Sequence, residues 1–134
     1  MNLEQVCQTV YSEVEGALAV AVVDLRAGTP IHVYHDVAHF NQDYVDLVSA
    51  AAVDMFRGRT VRMIENKLTG TRGHSARHAI KEVQMTTEHT LHFMMILPEK
   101  PNILALLVTN RKASIGMGWA SLRRAIPKIT SYSP

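Results

Sequence analysis

The residues of this chain whose spacing invites chemistry are its seven histidines. His74 and His78, with three residues between them, would share one face of a helix, where two imidazoles can hold a zinc ion. His32 with His35 and His89 with His92 offer further pairs. Gly70, Gly73 and Ser75 make the first segment poor helix. In a strand, residues three apart point to opposite faces, which separates the other two pairs. No cysteine or carboxylate partner completes a ligand set, so the sequence points to no metal and no cofactor. The histidines read as solvated or hydrogen-bonded groups, and a pH-dependent surface is the role their ordinary titration range supplies.

Other chemical signatures fail in the same way. Gly116-Met117-Gly118 lacks the further glycine or lysine of a phosphate-binding loop, and no serine sits between glycines as in a nucleophile elbow. The acidic residues are scattered and suggest no paired-carboxylate hydrolysis. We therefore expect no catalytic residues and no enzyme. One concentration of charge stands out, formed by Arg57, Arg59, Arg62, Lys67, Arg72 and Arg77. It could meet phosphates as a nucleic-acid or anionic-ligand module, but no aromatic residue lies among these cations to stack bases. Nucleic acid is the disfavoured partner, and a solvated loop or a contact with an acidic protein is preferred. Residues 1–56 hold eight acidic and one basic residue, and residues 57–78 hold six basic and one acidic. These opposite poles suit attraction to a partner or to a second copy.

The elements that must position these groups follow from length and periodicity. A chain of 134 residues supports one domain with a real core. No apolar run reaches a membrane span, and the first residues lack a basic region followed by an apolar block, so a soluble, unexported, cytoplasmic protein is expected. Cys7 is alone, which fits a reducing compartment. Ile103 to Thr109 and Ala17 to Val23 are short, branched, uncharged runs that read as strands buried on both faces, at the centre of one sheet. Leu3, Val6, Cys7, Val10, Tyr11 and Val14 mark an amphipathic helix ended by Gly16. A turn at Arg26 to Pro30 leads to a half-buried strand, Ile31 to His35. The weak alternation from Ala79 to Glu88 suits an edge strand, and Leu91, Phe93, Met95 and Leu97 alternate inward on the next. A last helix runs from the Ser114 cap to about Ile126. It has Ile115, Trp119, Leu122 and Ile126 on one side, glycines that permit close packing, and Arg123 and Arg124 near its end. Residues 59–78 read as a basic loop insertion, in which Val61, Ile64 and Leu68 allow a short helical turn or two.

The helix capped by Asn41 and running to about Phe56 has an unusual pattern. Tyr44, Leu47, Val48, Ala51 and Met55 form the expected core stripe. Val45, Ser49, Ala52, Val53 and Phe56 form a second one beside it. A surface helix of a small monomer needs only one, so the second stripe reads as a subunit or partner interface. A loop or another helix covering it is the alternative. The order αββαβββα, with antiparallel hairpins, makes an α+β sandwich.

With that order in place, Gly16 to Ile31 (GALAVAVVDLRAGTPI), Ala50 to Gly58 (AAAVDMFRG) and Ile103 to Ile126 (ILALLVTNRKASIGMGWASLRRAI) resemble the roadblock/dynein light chain family. The resemblance implies a profilin-like, five-stranded antiparallel sheet with helices on both faces. It also implies a non-catalytic homodimer that acts as adaptor or regulator of a small Ras-like GTPase in bacterial signalling, polarity or motility. By that likeness the interface falls on Val45, Ser49, Ala52, Val53 and Phe56 and on the edge strand at Glu82, Gln84 and Thr86. The basic loop at 59–78 is longer than the simplest members need.

Overall fold

The computed structural model describes residues 1–69 and 79–134. Its elements are α1 (Leu3–Glu13), β1 (Ala17–Asp24), β2 (Thr29–His35), α2 (Gln42–Arg57), α3 (Arg59–Thr69), β3 (Glu82–Thr86), β4 (Thr90–Leu97), β5 (Lys100–Asn110) and α4 (Ile115–Tyr132). The strands form one antiparallel sheet in the order β2-β1-β5-β4-β3. The expected αββαβββα order is realised with one further helix, α3, between α2 and β3, and the uncharged Ile103 run lies in the middle strand.

Local signals place the helices. Asn2 and Gln5 cap α1 reciprocally, while Asn41 and Ser114 accept from the Tyr44 and Met117 amides to start α2 and α4. Gly16 has φ of 89° where the chain leaves α1 for β1, and a side chain there would also run into Asn110. β1, β4 and β5 are buried on both faces because each face has its own cover. On one face α1 and α4 pack over Val20, Val22, Phe93, Leu107 and their neighbours. On the other, Ala52 and Phe56 of α2 pack over Ala21, Val23, Met94, Leu104 and Leu106.

Three expectations are corrected. The segment 59–78 begins as a helix of three turns, α3, longer than the one or two turns expected there, because the carbonyl of Gly58 already accepts from Arg62 and restarts the ladder. The rest of that segment lies outside the described residues. α4 continues past Ile126 to Tyr132, with Pro127 inside it, so Arg123 and Arg124 are mid-helix and Ile115 is exposed. The third correction concerns α2, which turns the second stripe inward and keeps only Val48 and Met55 of the first stripe packed against the core. Phe56 is 0% exposed, Ser49 and Ala52 are buried with it, and Val45 and Val53 are half-buried. Leu47 is 71% exposed, and Tyr44 and Ala51 are exposed too. The small Ser49 and Ala52 let the helix approach the sheet closely enough for Phe56 to fill the space beyond. The Ser49 hydroxyl is satisfied by the Val45 carbonyl at 2.9 Å, so it can be buried without an unmade hydrogen bond.

Candidate partner interface

α2 lies across one face of the sheet with its outer side uncovered among the described residues. That side carries Tyr44, Leu47, Ala50 and Ala51, bordered by exposed Asp43, Asp46 and Asp54. Small residues beside a leucine form a surface another helix can approach closely, and the acids bias it toward a basic partner. The start of the helix is anchored by Tyr44, which stacks on Phe40 at 4.8 Å between ring centroids. Beneath it, Ala19, Ala21, Val48, Ser49 and His92 line a small apolar gap of about 30 Å³ that opens to solvent.

The end of α2 is tied down differently. Arg57 donates to the Phe56 carbonyl at 3.0 Å and to the Pro101 carbonyl at the start of β5. Burial lowers its pKa, and Glu65 nearby acts in the opposite direction. Glu65 is itself buried on α3 and accepts from the Ile80 amide at 3.1 Å, which joins α3 to the approach to β3. Of the six basic candidates, Arg57 is thus engaged inside the chain, Arg59, Arg62 and Lys67 lie along α3 exposed to solvent, and Arg72 and Arg77 fall outside the described residues.

The second part of the surface is the sheet edge. β3 pairs only with β4, and Lys81 and Thr87 at its ends bond to Ile96 and Thr90. Antiparallel bonding alternates, so Glu82, Gln84 and Thr86 turn their backbone N–H and C=O groups to the free rim. Their side chains lie toward α4. Trp119 donates to Gln84 at 3.0 Å, and Arg123 pairs with Glu82 at 2.8 Å while lying 5.0 Å over the Trp119 ring. The rim is therefore held flat and in register. Polarity in the sequence singles out these three residues, whereas nothing in it marks Tyr44, Leu47 and Ala51 as surface residues.

Among the described residues the histidines do not converge. His32 and His35 face opposite sides of β2, and the His35 ring accepts the Val37 amide at 3.2 Å. His89 is exposed, whereas His92 is buried and meets the Thr90 hydroxyl at 2.9 Å. Desolvation lowers the His92 pKa below its ordinary 6.5. His74 and His78 lie outside the described residues. Among the described residues no three metal-ligating side chains come together. Burial pushes the Cys7 thiol up to about 12, which leaves it protonated and unreactive at neutral pH. Among the described residues no helix is long and apolar enough to cross a membrane.

No family model and no curated protein sequence matches the chain. Solved structures do. The gliding protein MglB of Thermus thermophilus superposes with a TM-score of 0.75 at 16% identity, covering 96% of this chain and 86% of its own. A roadblock/LC7 domain from Streptomyces avermitilis gives 0.73 at 14% identity over 98% of both chains. MglC from Myxococcus xanthus gives 0.64 at 19% identity over 99% of this chain and 100% of its own. The chain carries the roadblock/LC7 fold.

Proposed function

We propose that this protein is a non-catalytic homodimeric adaptor or regulator, and that it holds a small Ras-like GTPase in a bacterial motility, polarity or signalling system. The observation that carries the reading is the outer face of α2, where Leu47 is 71% exposed beside Tyr44, Ala50 and Ala51. A monomer gains nothing by exposing such a strip on a helix that could have turned it inward. Support also comes from the sequence resemblance to the roadblock family, and from the fold shared with the gliding protein MglB of Thermus thermophilus and with an MglB solved in a tetrameric arrangement. In this reading the dimer forms through α2, with Val45 and Val53 at its flank, and through the rim of Glu82, Gln84 and Thr86. Ser49, Ala52 and Phe56 stand behind the surface and shape it from within.

Light scattering of the purified protein is expected to give twice the mass of the 14.9 kDa chain. Leu47→Glu with Ala51→Glu is expected to halve that mass while the circular dichroism spectrum stays unchanged. Titration calorimetry with the small GTPase encoded nearest the gene, loaded with GDP or with a GTP analogue, is expected to show binding in one nucleotide state in preference to the other. A monomer at all concentrations defeats the dimer, and no heat with either nucleotide form defeats the GTPase reading.

A further inference from the structure

Five of the nine large hydrophobic side chains exposed among the described residues sit on α2 and α3: Tyr44, Leu47, Met63, Ile64 and Leu68. The two helices differ in the charge that surrounds them. α2 exposes Asp43, Asp46 and Asp54, and α3 exposes Arg59, Arg62 and Lys67. Among the described residues none of these six charges has an ion-pair partner. The one acid of α3, Glu65, is buried.

We infer that α3 of one copy docks on the acidic outer face of α2 in a second copy, and that the contact is made twice about a two-fold axis. The inference rests on the dimer proposed above and names what holds it together. A two-fold contact is self-complementary: if α3 meets the other copy's α2, then α2 meets the other copy's α3. Three acids and three bases on consecutive helices satisfy that condition with one sign of charge on each. The apolar residues are matched as well, with Leu47 on one surface and Met63, on the same face of α3 as Arg59, Arg62 and Lys67, on the other. A basic amphipathic helix can also lie on an anionic bilayer. Here the three acids on the preceding helix oppose that binding, whereas in a second copy they supply the missing countercharge. Cross-contacts of this kind choose the partner and its orientation more than they add raw affinity.

The test exchanges charges on the full chain. Asp46→Lys with Asp54→Lys makes both helices basic, and Arg59→Glu with Lys67→Glu makes both acidic. None of these positions is buried, and circular dichroism checks that both variants fold. Each variant alone is expected to dimerise at least about tenfold more weakly than the parent in sedimentation, because like charges now meet. Mixed in equal amounts, the two are expected to form a heterodimer within about threefold of the parental affinity, since opposite signs meet at both contacts. Raising salt from about 0.1 M to about 1 M is expected to weaken the parent dimer. Variants that dimerise like the parent overturn this inference and leave the homodimer standing. Two weakened variants that do not rescue each other also overturn it. Binding of phosphatidylglycerol vesicles that tightens in the first variant and vanishes in the second overturns it in favour of a membrane surface. A parent that is monomeric removes the dimer reading itself.

Discussion

α4 and α2 cover opposite faces of the same sheet, and they are bound to it in different ways. α4 buries Gly118, Ser121, Leu122, Ala125, Ile126 and Ile129 and is flanked by α1, whose Glu13 accepts from Ser121 at 2.8 Å. Lys100 caps its far end by donating to the Thr130 and Ser133 carbonyls at 2.7 and 2.6 Å. α2, almost as long, buries only Ser49, Ala52 and Phe56, and no helix lies along its outer side among the described residues. One face of the sheet is closed by two helices that serve each other. The other is closed by a helix that keeps Tyr44, Leu47, Ala50 and Ala51 outside. A fold that must remain assembled while presenting a surface can sustain the second arrangement only because the first is complete.

The largest test of that difference removes the main anchor from each helix. Phe56→Ala is expected to cost about 3–5 kcal/mol, and Leu122→Ala about 2–5 kcal/mol. The patterns should differ more than the totals. α4 retains Ile126 and Ile129, so its loss is expected to appear as a global fall in denaturant midpoint. α2 loses its one large buried side chain, so hydrogen exchange is expected to show α2 opening before the sheet does. Equal protection of α2 and α4 in Phe56→Ala would remove the contrast. Next in size is Gly118→Ala. A Cβ there would stand 2.6 Å from the Phe93 ring. Helix propensity favours alanine by about 1 kcal/mol, while overpacking costs about 1–3 kcal/mol. The expected sum is a lower melting temperature, and a higher one would mean that α4 is not seated as closely as described.

The same contrast explains what can be read in the sequence. β1 and β5 are legible because a branched, uncharged run between polar ends has few other homes. The caps at Asn41 and Ser114 are legible because local hydrogen bonds decide them. α4 is legible on its buried face but not in length, since Pro127 and the threonine and serine residues after it resemble a helix end. α2 is legible as an element and illegible in rotation. Its two stripes carry similar apolar content, and periodicity cannot distinguish a leucine from a phenylalanine as the inward residue. A tertiary fact decides between them: small Ser49 and Ala52 fit against the sheet, so Phe56 follows them in. Of the stripe read as facing a partner, Ser49, Ala52 and Phe56 are therefore buried in the chain itself, with Val45 and Val53 half-buried beside them. The buried role of Glu65 leaves no sequence signal, because its partner amide at Ile80 is fifteen residues away.

A pH measurement sharpens the comparison further, since His92 lies beneath α2 and no histidine lies in α4. Burial lowers the His92 pKa in the folded chain below the ordinary 6.5 of the unfolded one. Below pH 6.5 the unfolded chain therefore binds more protons at this position, and stability falls as pH falls until the lower folded pKa is passed. Above that range both states are neutral there and the contribution is constant. His92→Leu is expected to flatten the part of the acid-side slope that this residue supplies in denaturant titrations. An unchanged slope would show that the ring is hydrated under α2.

The smallest expected effect on stability is the most telling about the outer face. Leu47→Ser replaces a leucine that is 71% exposed, and away from buried contacts such changes fall within about 0.5 kcal/mol. If α2 holds the sheet through Phe56 and Ala52 alone, thermal unfolding measured at concentrations too low for dimers should not distinguish Leu47→Ser from the parent. At high concentration the two should separate, because association adds stability in proportion to its strength. A change that appears only when copies can meet assigns Leu47 to the contact between them. A loss of similar size at every concentration would instead place Leu47 among the residues that hold α2 to its own sheet.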